Sequence, residues 1–352
     1  MTEHKIICGD SKKVSEIPDK SVSLIITSPP YPMIEMWDTM FSNQDPCISS
    51  FLEQGDGARA FHRMHDLLSK TWDECDRVLA QNGFICVNIG DATRTINGSF
   101  QLYSNHTQII NYFSGLGYSV LPDIHWRKPS NAPNKFMGSG MYPAGAYVTY
   151  EHEYILIFRK GEKRVFSEEE KSIRQKSAFF WEERNGWFSD LWEIKGTAQM
   201  VNNIKQGRER SAAFPFEIPY RLVNMYSIEG DTILDPFVGI GTTNLACMAS
   251  NRNSIGVEID PYIADLARQN IASSQAMLNR IIDSRIVRHL NYIDSLSKEK
   301  RDLCYRNEIL GFDVRTKQET AIRIDHLSDV SIAENGVVSC TYNTQNELLP
   351  LY

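Results

Sequence analysis

The 352-residue sequence has no apolar run near the ~18 residues that a membrane-spanning helix needs. Residues Met1 to Lys5 lack the basic and apolar regions of a secretory signal, so a cytoplasmic protein is expected. Cysteine is sparse: seven residues, an odd number, with no CxxC spacing. That argues against a disulfide framework and against a structural zinc. Cys8, Cys86 and Cys247 sit in apolar runs and are expected in the core. Cys47 lies in a polar Pro-Cys stretch and reads as incidental. His62 and His65 are three apart on a helical pattern, but no further ligand joins them, so no metal is expected. Internal repeats and low-complexity tracts are absent. So is a basic balance: the net charge is -7.

That charge is uneven. Residues 307–352 hold seven acids and three bases, which leaves the rest of the chain close to neutral. Residues 159–176 hold seven bases and four acids, and Lys195, Lys205, Arg208 and Arg210 follow. Phosphate contacts need a local basic surface and not a basic chain. A solvated charged face explains each run equally well.

Apolar runs at 4–11, 21–27, 83–91, 119–128, 151–161, 231–235 and 254–260 predict strands, the first ending in Gly9-Asp10. Helical spacing marks 58–79, 106–118, 215–227 and one long helix over 261–287. Strands alternating with helices predict an α/β fold with a mainly parallel sheet. Glu35 to Gly57 is polar and contains glycine, which predicts a long loop of the kind used as a lid.

Two stretches carry chemistry. In "LIITSPPYPMIE", a buried strand stops at Thr27-Ser28, and Pro29 and Pro30 stiffen the next turn. In "ILDPFVGIGTT", a strand runs into Asp235, then Gly239 and Gly241, then a helix opening at Thr242-Thr243. The glycines allow close backbone approach, and the helix start offers free N–H groups. Glu258 ends the next strand 19 residues after Gly239, the spacing of an acid that holds ribose hydroxyls. The loop is neither GxGxxG nor GK[ST]-bearing, so neither a pyrophosphate nor a triphosphate is favoured. An adenosine carrying a zwitterionic amino acid suits it better. Asp235 would face the amino group, and Thr242 and Thr243 the carboxylate.

DPFxGxGTT with a GxExD strand and an upstream TSPPY resembles the S-adenosylmethionine-dependent, amino-methylating DNA methyltransferases. The order, TSPPY first and DPFxGxGTT last, resembles their permuted β group. The resemblance covers residues 4–161 and 212–272. It implies a Rossmann-like methyltransferase fold, circularly permuted, with helices on both faces of the sheet and an inserted recognition region. Residues 1–161 would be the catalytic half, 162–211 the target-recognition insertion and 212–279 the cofactor half. Residues 280–352 remain without an assigned role.

The resemblance also implies residue roles. An exocyclic amine is a poor nucleophile, because its lone pair is delocalised into the ring. Two acceptors on its hydrogens, the Ser28 hydroxyl and the Pro29 carbonyl, would turn that lone pair towards the methyl. Pro30 would hold them rigid, and the Tyr31 ring would stack on a base flipped out of duplex DNA. Serine at this position resembles the N4-cytosine branch. N6-adenine, or a non-catalytic DNA-binding module, is the alternative. Asp10 would lie near the cofactor adenine, or be a turn aspartate. Phe214 and Pro215 would close over the methionine end, or be helix-start packing. Phe237 would wall the adenosine pocket, or belong to the core. The implied partners are double-stranded DNA and the cognate restriction endonuclease of the same system.

Overall fold

The computed structural model describes residues 1–128, 137–138, 141–195 and 214–344. Five strands form its parallel centre: β1 (Thr2–Cys8), β2 (Val22–Thr27), β3 (Leu79–Ile89), and, across most of the chain, two strands of the glycine-loop half. A hairpin separates the two halves in sequence, β4 (Ala92–Ile96) with β5 (Ser99–Tyr103). Then come β6 (Ser119–Arg127), β7 (His152–Arg159), β8 (Leu191–Glu193), β9 (Thr232–Asp235), β10 (Asn253–Glu258), β11 (Asp325–Ile332) and β12 (Val338–Thr344). The sheet order is β8-β6-β7-β3-β2-β9-β10-β1-β12-β11. Neighbours from β3 through β1 run parallel, so the C-terminal ends of β1, β2, β3, β9 and β10 share one edge. β7 pairs antiparallel with β3, which brings its first residues to that edge too.

β2 shows why the strands read as unbroken apolar runs. Leu24 and Ile26 feed one core and Ile25 the other, so both faces are covered. One face packs against α7 (Glu217–Tyr226), α8 (Thr242–Met248), α9 (Pro261–Ala272) and α10 (Gln275–Asp294). The other packs against α3 (Gly57–Val78), through Met64, Leu68 and Trp72, and α4 (Asn105–Gly115), through Ile109 and Phe113. Asp56 caps α3 by accepting from the Arg59 N–H. The expected α/β architecture is present.

Three expectations are corrected, and one element is added. Residues 35–53 are helical, not loop: a short 3-10 turn leads into α1 (Asp38–Gln44) and α2 (Cys47–Glu53). Phe41 and Ile48 are their buried anchors, and the polar residues between them hide the amphipathic pattern. The long helix over 261–287 is two helices. At the break, Ser273 and Ser274 return their hydroxyls to the carbonyls of Gln269 and Ile271, competing with the backbone ladder. Cys8 is exposed, because it is the last residue of β1 and points outward. The β4–β5 hairpin went unpredicted, although Asn97-Gly98, both at positive φ, is a two-residue hairpin signal.

Parts of the expected recognition insertion and of the C-terminal extension also join the sheet. β12 pairs antiparallel with β1, so the tail hairpin extends it. α5 (Glu168–Lys176), α6 (Trp181–Trp187) and β8 lie within 162–195, and β8 adds to the opposite edge beside β6. Trp187 and Trp192 are buried, with the Trp192 indole donating to the Trp187 carbonyl. Trp181 is half-exposed. Glu183 pairs with the buried Arg285 of α10 at 2.7 Å. Lys205, Arg208 and Arg210 lie outside the described residues.

Candidate active site

β2 ends in Ser28-Pro29-Pro30-Tyr31 because two prolines cannot continue the ladder. Immediately beside it, β9 ends at Asp235. The Thr27 hydroxyl donates to Asp235 Oδ1 at 2.7 Å, tying the two strand ends together across 208 residues of sequence. The glycine loop follows Asp235. Gly239 (φ 52°) and Gly241 (φ 90°) both take left-handed backbone that other residues rarely adopt. A Cβ on Gly241 would also come within 3.3 Å of Ile271.

A cavity of about 530 Å³ opens along this edge. Its wall includes Asp10, Ser28, Pro29, Pro30, Tyr31, Phe214, Asp235, Phe237, Gly239, Thr242 and Glu258. Gly241, Thr243 and Pro215 are not part of that wall. Thr243 is buried, and its hydroxyl donates to Asp235 Oδ2 at 2.6 Å instead of facing the cavity. Phe237 serves both readings: it lines the cavity and meets the core Trp72 edge-on at 6.1 Å.

Burial dominates the electrostatics. It pushes the Asp235 carboxyl up to about 6, against the hydroxyls of Thr243 and Thr27 and the Phe237 N–H, which favour the charged form. Burial also raises Glu258, whose two oxygens accept from the backbone N–H groups of Gly239 (3.1 Å) and Asp260 (3.0 Å).

Three parts of the site carry no motif. The 3-10 turn and α1 cover the cavity through Met36, Trp37, Thr39, Met40, Asn43 and Gln44. α3 contributes Leu67, Leu68 and Thr71. Behind Tyr31, Asn88 of β3 and Glu153 of β7 hold its hydroxyl. Glu153 had a readable signal: in "HEYILIF" it shares a strand face with Ile155 and Ile157, and an acid on a core face needs a partner. Among the described residues no group of three or more His, Cys, Asp or Glu is arranged to hold a metal.

Both halves of the split pair of motifs therefore open onto one cavity. The DNA methylase family profile matches residues 22–269, spanning both. The chain belongs to the DNA methylase family.

This methylase is 50% identical over 326 residues to the type II methyltransferase M.MthZI of Methanothermobacter thermautotrophicus, covering 92% of this chain and 90% of the relative. It is 48% identical to M.MjaI of Methanocaldococcus jannaschii, over 78% of this chain and 93% of that one. A Thermus thermophilus protein assigned as a DNA modification methylase, solved with S-adenosyl-L-methionine bound, superposes with a TM-score of 0.59 at 29% identity, covering 76% and 94% of the two chains. The PvuII cytosine-N4-specific DNA methyltransferase shares the fold, with a TM-score of 0.54 at 18% identity over 81% and 92%. The methylase uses S-adenosyl-L-methionine. The cavity suits it: an aromatic face at Phe237, a close-approach loop at Gly239, and a Glu258 carboxylate with lone pairs left after its two backbone bonds. No helix among the described residues is long and apolar enough to cross a membrane.

Proposed function

We propose that this methylase transfers the methyl of S-adenosyl-L-methionine to the exocyclic N4 amine of a cytosine flipped from duplex DNA. The observation that carries this is the shared cavity: residues of the Ser28–Tyr31 turn and of the Asp235–Thr242 loop line the same cavity. Glu258 would hold the ribose, Asp10 and Phe237 the adenine, and Asp235 and Thr242 the amino-acid end, with Phe214 beside it. The cofactor supplies an electrophilic methyl on a sulfonium. Ser28 and the Pro29 carbonyl would take the two amine hydrogens, and Tyr31 would present its ring to the base. Rigid acceptors suit a reaction catalysed by positioning. Serine at position 28, as in the N4-cytosine branch that the motif resembles, supports cytosine as the target.

Target reading is assigned to 162–211. The chain leaves β8 at the catalytic edge, since β8 runs parallel to β6. A cognate restriction endonuclease is proposed as the functional partner, a reading that the likeness to type II methyltransferases supports. The test is to methylate a plasmid and sequence it by a method that separates N4-methylcytosine from N6-methyladenine. N4-methylcytosine is the expected product. N6-methyladenine overturns the cytosine assignment. A protein that binds the cofactor yet transfers nothing to any DNA is a binding module.

A further inference from the structure

Tyr31 has one hydroxyl hydrogen and three polar neighbours. It donates to Glu153 Oε2 at 2.8 Å. Asn88 Nδ2, which can only donate, sits 2.8 Å from the Tyr31 oxygen and 2.7 Å from the same Glu153 oxygen. Ser28 Oγ lies 3.0 Å from the Tyr31 oxygen. The other Glu153 oxygen is held by Lys128 Nζ. Burial, and then the Glu153 charge, raise the Tyr31 phenol well above its ordinary value, so it keeps its hydrogen.

The hydrogens can be counted. The Tyr31 hydrogen is committed to the carboxylate, and Asn88 brings only donors. The Ser28 hydrogen must then point at Tyr31. That leaves both Ser28 lone pairs for the cavity that Ser28 lines. Turning the Asn88 amide over would aim its oxygen at a carboxylate. In its present orientation, that Oδ1 has no partner among the described residues. The network is therefore held at the cost of one buried acceptor. Gly90 keeps the space where the parts meet: a Cβ there would come within 3.1 Å of the Tyr31 ring and 3.2 Å of the Glu153 Cγ.

We infer that Glu153 is a positioning residue that acts through the Tyr31 hydroxyl to hold Ser28 as a pure hydrogen-bond acceptor towards the target amine. This rests on the proposed role of Ser28. A glutamine at 153 keeps size and packing but has one acceptor, which Lys128 takes. Its N–H groups then face Tyr31, the phenol hydrogen loses the carboxylate that fixed it and can turn to Ser28, and the Ser28 hydroxyl is no longer held with its hydrogen away from the amine.

The test is a double-mutant cycle of Glu153→Gln and Tyr31→Phe, with Ser28→Ala alongside. Single-turnover transfer of tritiated methyl to plasmid DNA is measured with cofactor and DNA dissociation constants and melting temperature. Glu153→Gln is expected to slow transfer by roughly tenfold or more, with both dissociation constants and the melting temperature unchanged. In the Tyr31→Phe background, which already cuts the relay and leaves the Glu153–Lys128 pair intact, it should cost nothing further. Full-rate transfer by Glu153→Gln beside an impaired Ser28→Ala overturns the inference and leaves the function standing. So does an undiminished cost in the Tyr31→Phe background. Full-rate transfer by Ser28→Ala removes the acceptor role and the inference with it.

Discussion

Asp235 accepts three hydrogen bonds, yet burial still leaves its carboxyl raised to about 6, from an ordinary 3.8. A raised carboxyl favours the folded state most below about 3.8, and that contribution is lost as pH rises through about 6. Asp235→Asn should therefore gain on wild type between pH 5 and pH 8, by about 1 kcal/mol. Urea unfolding of the cofactor-free proteins at the two pH values checks this, and a constant difference would sink it. Ser28 and Glu258 should separate chemistry from binding. Ser28→Ala is expected to lower kcat by about 100-fold with cofactor affinity kept. Glu258→Ala should weaken cofactor binding by roughly 10–100-fold, the loss of hydrogen bonds to a charged group, with a smaller change in kcat at saturation. Titration calorimetry beside steady-state kinetics distinguishes the two. Equal effects on both parameters in both variants would contradict the division.

At the scale of elements, α1 is the part that sequence patterning hid. It is two turns long, with Phe41 its one buried residue, so no periodicity accumulates. What holds it over the cavity is distant: Arg94 of β4 grips Asp38 in a two-pronged pair at 2.9 and 2.6 Å. Both side chains are mostly buried, which makes the pair stronger than an open surface bridge. Arg94→Ala should loosen the cavity wall and weaken cofactor binding about three- to tenfold, with a lowered melting temperature because Asp38 is left mostly buried and unpaired. Unaltered binding would mean that α1 stays in place without its anchor. The β4–β5 hairpin itself was legible, since Asn97-Gly98 is a turn that chemistry specifies locally. Thr243 shows the opposite case. Its place at the helix start follows from the motif, but nothing local says that its hydroxyl turns inward to Asp235.

Across the whole molecule, burial holds two histidines as neutral rings, His4 in β1 and His65 on α3. His4 lies between Ser254 and Thr2, and burial lowers it to about 3. His65, bonded to Asn105, is lowered to about 4 by the same cause. Between those values and the ordinary 6.5, the unfolded chain binds more protons than the folded one, so stability must fall as pH drops below about 6.5. Asp235 acts in the opposite sense. Glu258, also raised by burial, acts with Asp235, so the His4 share is read against a variant that lacks the ring. Urea unfolding at pH 7 and pH 5 should show wild type losing more stability than His4→Asn. Equal losses would rule out His4 as a source of acid sensitivity.

The parallel α/β sheet, both halves of the split motif and the acid at Glu258 could be read from the sequence, because each rests on local rules. Buried strands are continuous apolar runs, prolines end them, and glycines mark backbone that must turn or approach closely. Tertiary structure alone decided which side chains finish the site. Glu153 reaches Tyr31 across 122 residues because β7 lies antiparallel to β3. Arg94 reaches Asp38 across 56. Periodicity shows that a residue faces inward. Which partner it meets depends on strand order, and strand order is set by packing the whole chain.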